Sequence, residues 1–504
     1  MTTATLIQTP PATAAVVARR ETARGVERKT KIVCTVGPAC QEADQIRQML
    51  EAGTNVFRLN FSHADHDWAT RTIETIREQA EFMRVPVAVM QDLCGPKIRL
   101  SKVAHENYRV EEGDTIRVTT QHHLDGCSRR EEHFEYDVAS SYSALVDDVC
   151  IGDTILVDDG RIAMTVLEKQ DGLVVAQITR GGEVLPGKGL NLPGVSLSTE
   201  SMLAKDWQDV QWGLKHEVDY IALSFVRHPS DLVMLQSRLE QAGSSARVIA
   251  KIERPEAIEH IEQIVHLADG LMVARGDLGL ETDLANVPVL QKRLIELCRE
   301  ATKPVITATQ VLDSMVNNST PTRAEVSDVA NAIFDGSDAV MLSNETAVGR
   351  HPIEAVDVIH RTALATEAEL ARRTIIQRRD STIGSAVSAI AEAAANAAIG
   401  LGAQSIVVYS QTGFTARMMA RYRLPVPVVA ITNEQSTYQQ LSLSFGVRPI
   451  YLPHIVDLPQ LLEEMNQLAL RQEWGESGDT LVVVSALDGQ DGNIDTLHIC
   501  QLIG

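Results

Sequence analysis

Eight short apolar runs, each closing on a polar residue or a glycine, constrain this chain more than any other feature. They are KIVCTVG (31–37), NVFRLNFS (55–62), PVAVMQDL (86–93), DYIALSFV (219–226), RVIAKIE (247–253), GLMVARGD (270–277), KPVITATQ (303–310) and AVMLSNET (339–346). Near-continuous apolar runs suit strands buried on both faces, as in a parallel sheet. Segments with apolar residues at i, i+3 and i+4 follow most of them, at 44–52, 66–82, 230–242, 255–268, 285–301, 322–334 and 353–370; that period belongs to amphipathic helices. Eight strand–helix units predict an α/β fold built on a closed TIM-type (β/α)8 barrel, whose chemistry sits at the carboxyl ends of the strands. Those ends carry Arg58, Asn60, Ser62, Asp92, Lys251, Glu253, Arg275, Asp277, Thr309 and Ser343. Polar residues end many strands, so one alone would mean little; ten on one rim point to a site.

The third unit is interrupted. Between Asp92 and Tyr220 lie stretches such as YRVEEGDTIRVTT, DTILVDDGRIAMTVLEK and GLVVAQITRGG, which alternate apolar and polar residues around Gly and Asp-Gly turns, the signature of hairpins. A small inserted β-barrel domain over 97–190 is expected. An insertion at that end of a barrel overhangs the site, so it reads as a lid. Beyond about 375 an Ala-rich helix (SAVSAIAEAAANAAIGL) precedes strands SIVVYS, VPVVAIT, RPIYL and DTLVVVSA, the pattern of a separate doubly wound α/β domain. The predicted organisation is an extension at 1–28, barrel at 29–96 and 191–372, the insert at 97–190, and the C-terminal domain at 373–504. The extension lacks periodicity and carries four arginines. It reads as a disordered tail rather than a transit peptide, because Ser is absent and Glu21 and Glu27 intrude.

Composition narrows the function. The formal charge is −21 over 504 residues, a field that repels nucleic acid and anionic lipid, so neither is an expected partner. An anionic substrate would need a local patch of Lys and Arg. No apolar run approaches the length of a membrane span. The seven cysteines, Cys34, Cys40, Cys94, Cys127, Cys150, Cys298 and Cys500, form no CxxC; they read as reduced thiols in a reducing, cytoplasmic compartment. In the C-terminal domain, SQTGFTARMMARYR places Ser410, Thr412, Gly413 and Thr415 in a strand-to-helix loop. Hydroxyls and amides at a helix start suit an anion, and an ordinary N-cap cluster reads the same way.

Longer motifs carry a resemblance. TKIVCTVGPA, NVFRLNFSH, DLCGPKIR, KGLNLPG, AKIERPEAI, MVARGDLG, KPVITATQVLDSM and PTRAEVSDVANAIFDGSDAVMLSNETAVGRHPIEAV stand in order and correctly spaced. From about residue 29 to its C-terminus the chain resembles the pyruvate kinases. The resemblance implies a barrel with an inserted β domain and a C-terminal α/β domain. It also implies phosphoryl transfer from phosphoenolpyruvate to ADP, giving pyruvate and ATP. The substrate carboxylate would rest on the amides near Ala274, Arg275, Gly276 and Asp277, where glycine permits close approach and the helix start favours an anion. Glu253 and Asp277, hard oxygen ligands on adjacent strand ends, suit Mg2+ (or Mn2+). The resemblance assigns Arg58 and Lys251 to the phosphoryl oxygens, where fixed charge does most of the work. It places Thr309 and Ser343 near the enolate carbon. A hydroxyl is a poor acid, so these order a proton relay rather than donate alone. Thr35, Pro38, His63, Arg99 and Lys188 match positions near the nucleotide.

Some positions depart from the family pattern. Asn60, Ser62 and Asp92 match its monovalent-cation pocket, yet Leu93 and Lys97 stand where many members have Thr and Glu. In members of this second type the lysine ammonium stands in for K+, and one positive charge near the same carboxylate serves either way. K+ is therefore not expected to be required. Asn344 occupies a place where Gly or Ala is common, and a local hydrogen bond is expected of it. Gln411 and Phe414 replace cations found in sugar-bisphosphate-activated relatives, which leaves a sugar monophosphate, a nucleotide or no effector. Family analogy suggests a homotetramer. Two other classes compete: a Mg-dependent barrel aldolase or lyase acting through an enolate, and a non-catalytic sensor. The first explains Glu253 and Asp277 but not the insert, Lys188 or NFSH. The second is at odds with Arg58, Lys251, Glu253, Asp277 and Thr309 all being in place.

Overall fold

A computed structural model describes residues 27–104, 108–126, 137–170, 172–373, 386–454, 458–471, 475–485 and 496–503. All of the predicted N-terminal extension except its last two residues lies outside these, as does Cys127.

The eight expected strands form, and they close into a parallel barrel in which each sequence neighbour is a spatial neighbour and the first pairs the eighth. They are Lys31–Thr35, Val56–Asn60, Ala88–Asp92, Tyr220–Leu223, Arg247–Ile252, Gly270–Ala274, Val305–Ala308 and Ala339–Leu342. Their residues are almost all buried, because helices cover the outside and side chains fill the inside. The predicted helix at 255–268 is two pieces, Pro255–Glu259 and Ile261–Leu267, parted at His260.

By contacts the chain divides into two compact units. One holds residues up to Arg58, Asp67–Val89 and everything from Val311 on; the other holds Leu59–His66 and Met90–Gln310. In the first, Lys31–Cys34 run beside Ala339–Leu342 and Val33–Thr35 beside Val56–Arg58. It also contains the C-terminal domain, a five-stranded sheet with Val447–Tyr451, Val428–Thr432, Ser405–Tyr409, Thr480–Ser485 and Thr496–Gln501 in that spatial order. Alternate residues of its strands enter two cores. Ile406, Val408 and Val482 pack with the Ala-rich helix Ala386–Leu401, and Val407, Val429 and Val483 pack with Leu461 and Met465 of Leu458–Arg471. Helices on both faces make the sheet doubly wound, as expected. The antiparallel edge strand Thr496–Gln501 was not anticipated. Arg423 fastens this domain to the barrel by an ion pair with Asp338 (2.8 Å), whose carboxylate also accepts from the Phe445 amide (3.0 Å).

The second unit contains strands four to seven and the insert. The insert is a seven-stranded sheet around its own core of Ile116, Val118, Ile155, Met164, Val174 and Ile178. Its two ends meet: Leu100 N donates to Lys188 O (2.8 Å), Gly187 N to Leu100 O (2.7 Å) and Leu190 N to Ile98 O (2.9 Å). These bonds link the segments at the two ends of the sheet, and Arg109–Val110 with Gly182–Glu183 form a separate two-stranded ladder.

Candidate active site

In the second unit a buried lysine organises the carboxyl ends of strands three to six. Lys251 Nζ lies 3.1 Å from Asp92 Oδ1 and 3.0 Å from Glu253 Oε1, and donates to Ser224 Oγ at 2.6 Å. Asp92 and Glu253 are each 1% exposed. An ammonium inside a barrel survives only where carboxylates and hydroxyls replace its water. Glu253 also accepts from the Phe225 amide (2.7 Å). Burial pushes the Glu253 carboxyl up; Lys251 opposes this, and the charges of Asp277 and Asp92 add to it. Strands five and six pair Ile252 with Val273, so Glu253 emerges level with Ala274 and near the Asp277 helix, Arg275–Glu281.

This donor set fits a hard dication. The charge of Asp277 adds to the cost of charging Glu253, and a dication between the two carboxylates would remove it. Among the described residues no larger group of His, Cys, Asp and Glu is gathered to hold a metal. Two protein oxygens with the remaining positions left to substrate and water is what Mg2+ prefers.

The next strand end forms a shelf. Gly276 N donates to Thr309 Oγ1 (2.7 Å), which itself donates to Ala308 O (2.7 Å). The Thr309 oxygen therefore marks an acceptor position at the start of the Asp277 helix. Arg275 turns away to donate to the carbonyls of Thr309 (3.0 Å) and Gln310 (3.3 Å), bracing that loop. Phe225, Thr309 and Gln310 have φ of 55°, 67° and 53°, a region costly for side-chain-bearing residues and concentrated at functional sites.

The other predicted residues of this unit are distributed as follows. Asn60 Oδ1 accepts from Ser62 N (3.1 Å), and His63 is exposed in the same turn. Lys97 Nζ lies 3.5 Å from Asp277 Oδ1, whereas the amine beside Asp92 is that of Lys251. Arg99 donates to Gly187 O (3.0 Å) inside the insert. Lys188 is paired with Asp158 of the insert at 2.9 Å.

In the first unit, Arg58 donates to Thr35 Oγ1 (2.9 Å), and Thr35 donates to Leu342 O (2.9 Å). Arg58 is 8% exposed, and its guanidinium is aimed by strand one, which Thr35 ties in turn to strand eight. Pro38 is exposed in the loop that follows. Ser343 N donates to Glu345 Oε2 (2.7 Å), while the Ser343 hydroxyl is buried without a hydrogen-bond partner. Asn344 is exposed and begins the helix Asn344–Ala347. In the C-terminal loop Ser410 and Thr415 are buried, Gly413 has φ 77°, and Phe414 N donates to Thr412 Oγ1 (3.4 Å). Arg417 donates to Thr412 O (3.3 Å).

Three side chains in these networks were not singled out from sequence. Ser224 ends the fourth strand, and the rule that flagged its neighbours would have found it. Glu345 holds the amides of Ser343 and Leu312 (3.0 Å). Arg254, next to Glu253, is paired with Glu281 at 2.8 Å; no local pattern marks that pairing.

Known proteins agree with this architecture. Residues 27–356 match the family model "Pyruvate kinase, barrel domain" and 388–500 match "Pyruvate kinase, alpha/beta domain". The pyruvate kinase of Geobacillus stearothermophilus is 40% identical over 479 residues, 94% of this chain and 80% of that one. That of Thermotoga maritima is 38% identical over 475 residues, 94% of this chain and all of that one. A crystal structure of a pyruvate kinase from Cryptosporidium parvum superposes with a TM-score of 0.86 at 32% identity, covering 98% of each chain. The aldolase or lyase alternative is not favoured by these relatives. The chain belongs to the pyruvate kinase family and is a phosphotransferase acting on phosphoenolpyruvate and ADP.

Proposed function

We propose that the last step of glycolysis is carried out on these strand ends with the following division of labour. Lys251 and Arg58 hold the phosphoryl oxygens of phosphoenolpyruvate. Both are buried, fixed cations whose orientation is set before substrate arrives, so little reorganisation is needed as charge develops. The substrate carboxylate enters at the helix start formed by Ala274, Arg275, Gly276 and Asp277, taking an acceptor position like that of the Thr309 oxygen. Glu253 and Asp277 would hold Mg2+ or Mn2+, and an ion bound there would supply positive charge to neutralise the phosphate. Thr35, Pro38, His63, Arg99 and Lys188 receive ADP, and Lys188 must leave Asp158 to do so. Thr309 already donates to Ala308 O, which supports a role in ordering the protonation of the enolate rather than supplying the proton. Ser343, whose hydroxyl has no hydrogen bond, is suited to hold a water in that relay.

The observation that carries the reading is the buried Lys251 between Asp92 and Glu253. A packing role does not explain an ammonium there, and a phosphoryl anion beside a metal does. Lys97, which lies beside Asp277 rather than Asp92 in this structure, would supply positive charge in place of the monovalent cation of the pocket at Asn60, Ser62 and Asp92, so K+ should not be required. A phosphorylated effector at Ser410, Thr412, Gly413 and Thr415, a homotetrameric assembly and a cytoplasmic location follow from family analogy. No helix among the described residues is long and apolar enough to cross a membrane. A steady-state assay with Mg2+ across a panel of phosphorylated metabolites tests the proposal. ADP-dependent release of pyruvate with equal ATP supports it; pyruvate release without ADP would return the lyase reading.

A further inference from the structure

Two acidic ligands on different elements must be held at a fixed separation to bind a dication. We propose that Arg254, Glu281 and Asn191 form a latch that sets the spacing of Glu253 and Asp277 and ties it to the root of the inserted domain. The inference rests on Glu253 and Asp277 being the metal acids.

Arg254 follows Glu253 directly. Glu281 lies four residues after Asp277 in the same helix, one turn along the same face. The two are joined by an ion pair of 2.8 Å, with side chains 4% and 1% exposed. Each metal acid therefore has a partner of this buried pair beside it in the chain. Glu281 Oε1 also accepts from Asn191 Nδ2 (3.0 Å), and Arg254 donates to Val195 O (2.8 Å). Asn191 and Val195 belong to the segment by which the insert returns to the barrel, Asn191 in the strand Leu190–Asn191 and Val195 just beyond it. That return segment is bolted again by Arg227, which donates to Leu197 O (2.7 Å) and Thr199 O (2.6 Å).

Alignment within the pair is imperfect: Glu281 Oε2 and Arg254 Nε make no hydrogen bond. The contact holds by charge and can shift without breaking a directional bond. The cavity beside it, next to Leu190, Leu192 and Phe225, is about 20 Å³. That is room for one water and too small for a metabolite, so the cluster is a positioning device rather than a ligand site.

The test compares the full-length enzyme with Asn191→Ala and with the double variant Arg254→Met/Glu281→Leu, which removes both charges together. Mn2+ binding to the substrate-free enzyme is read by electron paramagnetic resonance, and kcat and KM for ADP by steady-state assay. The double variant should bind Mn2+ at least about 10-fold more weakly, the loss typical of outer partners of metal ligands. Asn191→Ala should raise KM for ADP severalfold with kcat nearly kept. Mn2+ affinity within twofold of the parent in a folded double variant, or an unchanged KM for ADP in Asn191→Ala, would overturn the latch. Should the double variant not fold, Asn191→Ala decides alone. Glu253→Gln separates the two ideas: if it binds Mn2+ as the parent does, the metal assignment itself fails, whatever the latch variants do.

Discussion

Replacing Lys251 by Met removes one ammonium and leaves Asp92 and Glu253, each 1% exposed, without the cation 3.1 and 3.0 Å away. Breaking a buried pair from one side costs about 3–5 kcal/mol, because the remaining charge stays buried. Two acids share this cation, so the upper part of that range is expected. The same substitution removes a fixed charge from the phosphoryl oxygens, which should lower kcat by about 10²–10³. The two losses respond differently to pH. Burial has already raised the Glu253 carboxyl, and Lys251 is the first influence opposing that rise. An acid whose folded pKa lies above its unfolded one favours the fold at low pH and loses that contribution as pH climbs through the folded value. The stability deficit of Lys251→Met should therefore be widest near neutrality and narrow as pH falls toward the ordinary carboxylate range. The kcat deficit should not recover. Denaturant unfolding of the metal-free protein and a coupled pyruvate assay, each run over the same pH series, read the two quantities. A stability gap that stays constant with pH, or a kcat within about tenfold of the parent, would refute the reasoning.

Three further outcomes are expected. Activity should be full with Mg2+ and no added K+, and Lys97→Glu should make the enzyme depend on K+; a many-fold rise when K+ replaces a bulky inert cation in the parent would count against Lys97 as its substitute. Lys188→Ala should raise KM for ADP about 10-fold, the size of one lost charge-assisted hydrogen bond, and an unchanged KM and rate would remove the lid role. In Gly276→Ala the new methyl would meet Thr309 Oγ1 at 3.3 Å, forcing the strained Thr309 turn to yield by a few tenths of an ångström. KM for phosphoenolpyruvate should then rise about 10-fold, and a parent-like KM would show that the carboxylate does not use this shelf.

Much of this protein is legible without coordinates, for a definite reason. A strand buried on both faces must be apolar throughout, and a helix covering it must repeat every 3.6 residues. Eight alternations of those two local patterns leave few closed arrangements. The rim residues follow, since a parallel barrel has one carboxyl end and polar side chains there cannot belong to the core. The insert and the doubly wound domain are legible on the same grounds, by a change of period. The antiparallel edge strand Thr496–Gln501 (TLHICQ) escaped, because none of its residues is fully buried and its apolar signal is weak.

What coordinates alone decide is which distant residues meet. Lys251 finds Asp92 across 159 positions and Ser224 across 27. Lys97 is drawn to Asp277, although the residue pattern suggested Asp92. Arg254 and Glu281 look like ordinary charged residues until the fold buries both. Periodicity is a property of a few consecutive residues, so the sequence displays it directly. Pairing depends on the register and direction of whole elements, and on the cost of leaving a charge buried alone, which exists only once the chain has closed around it.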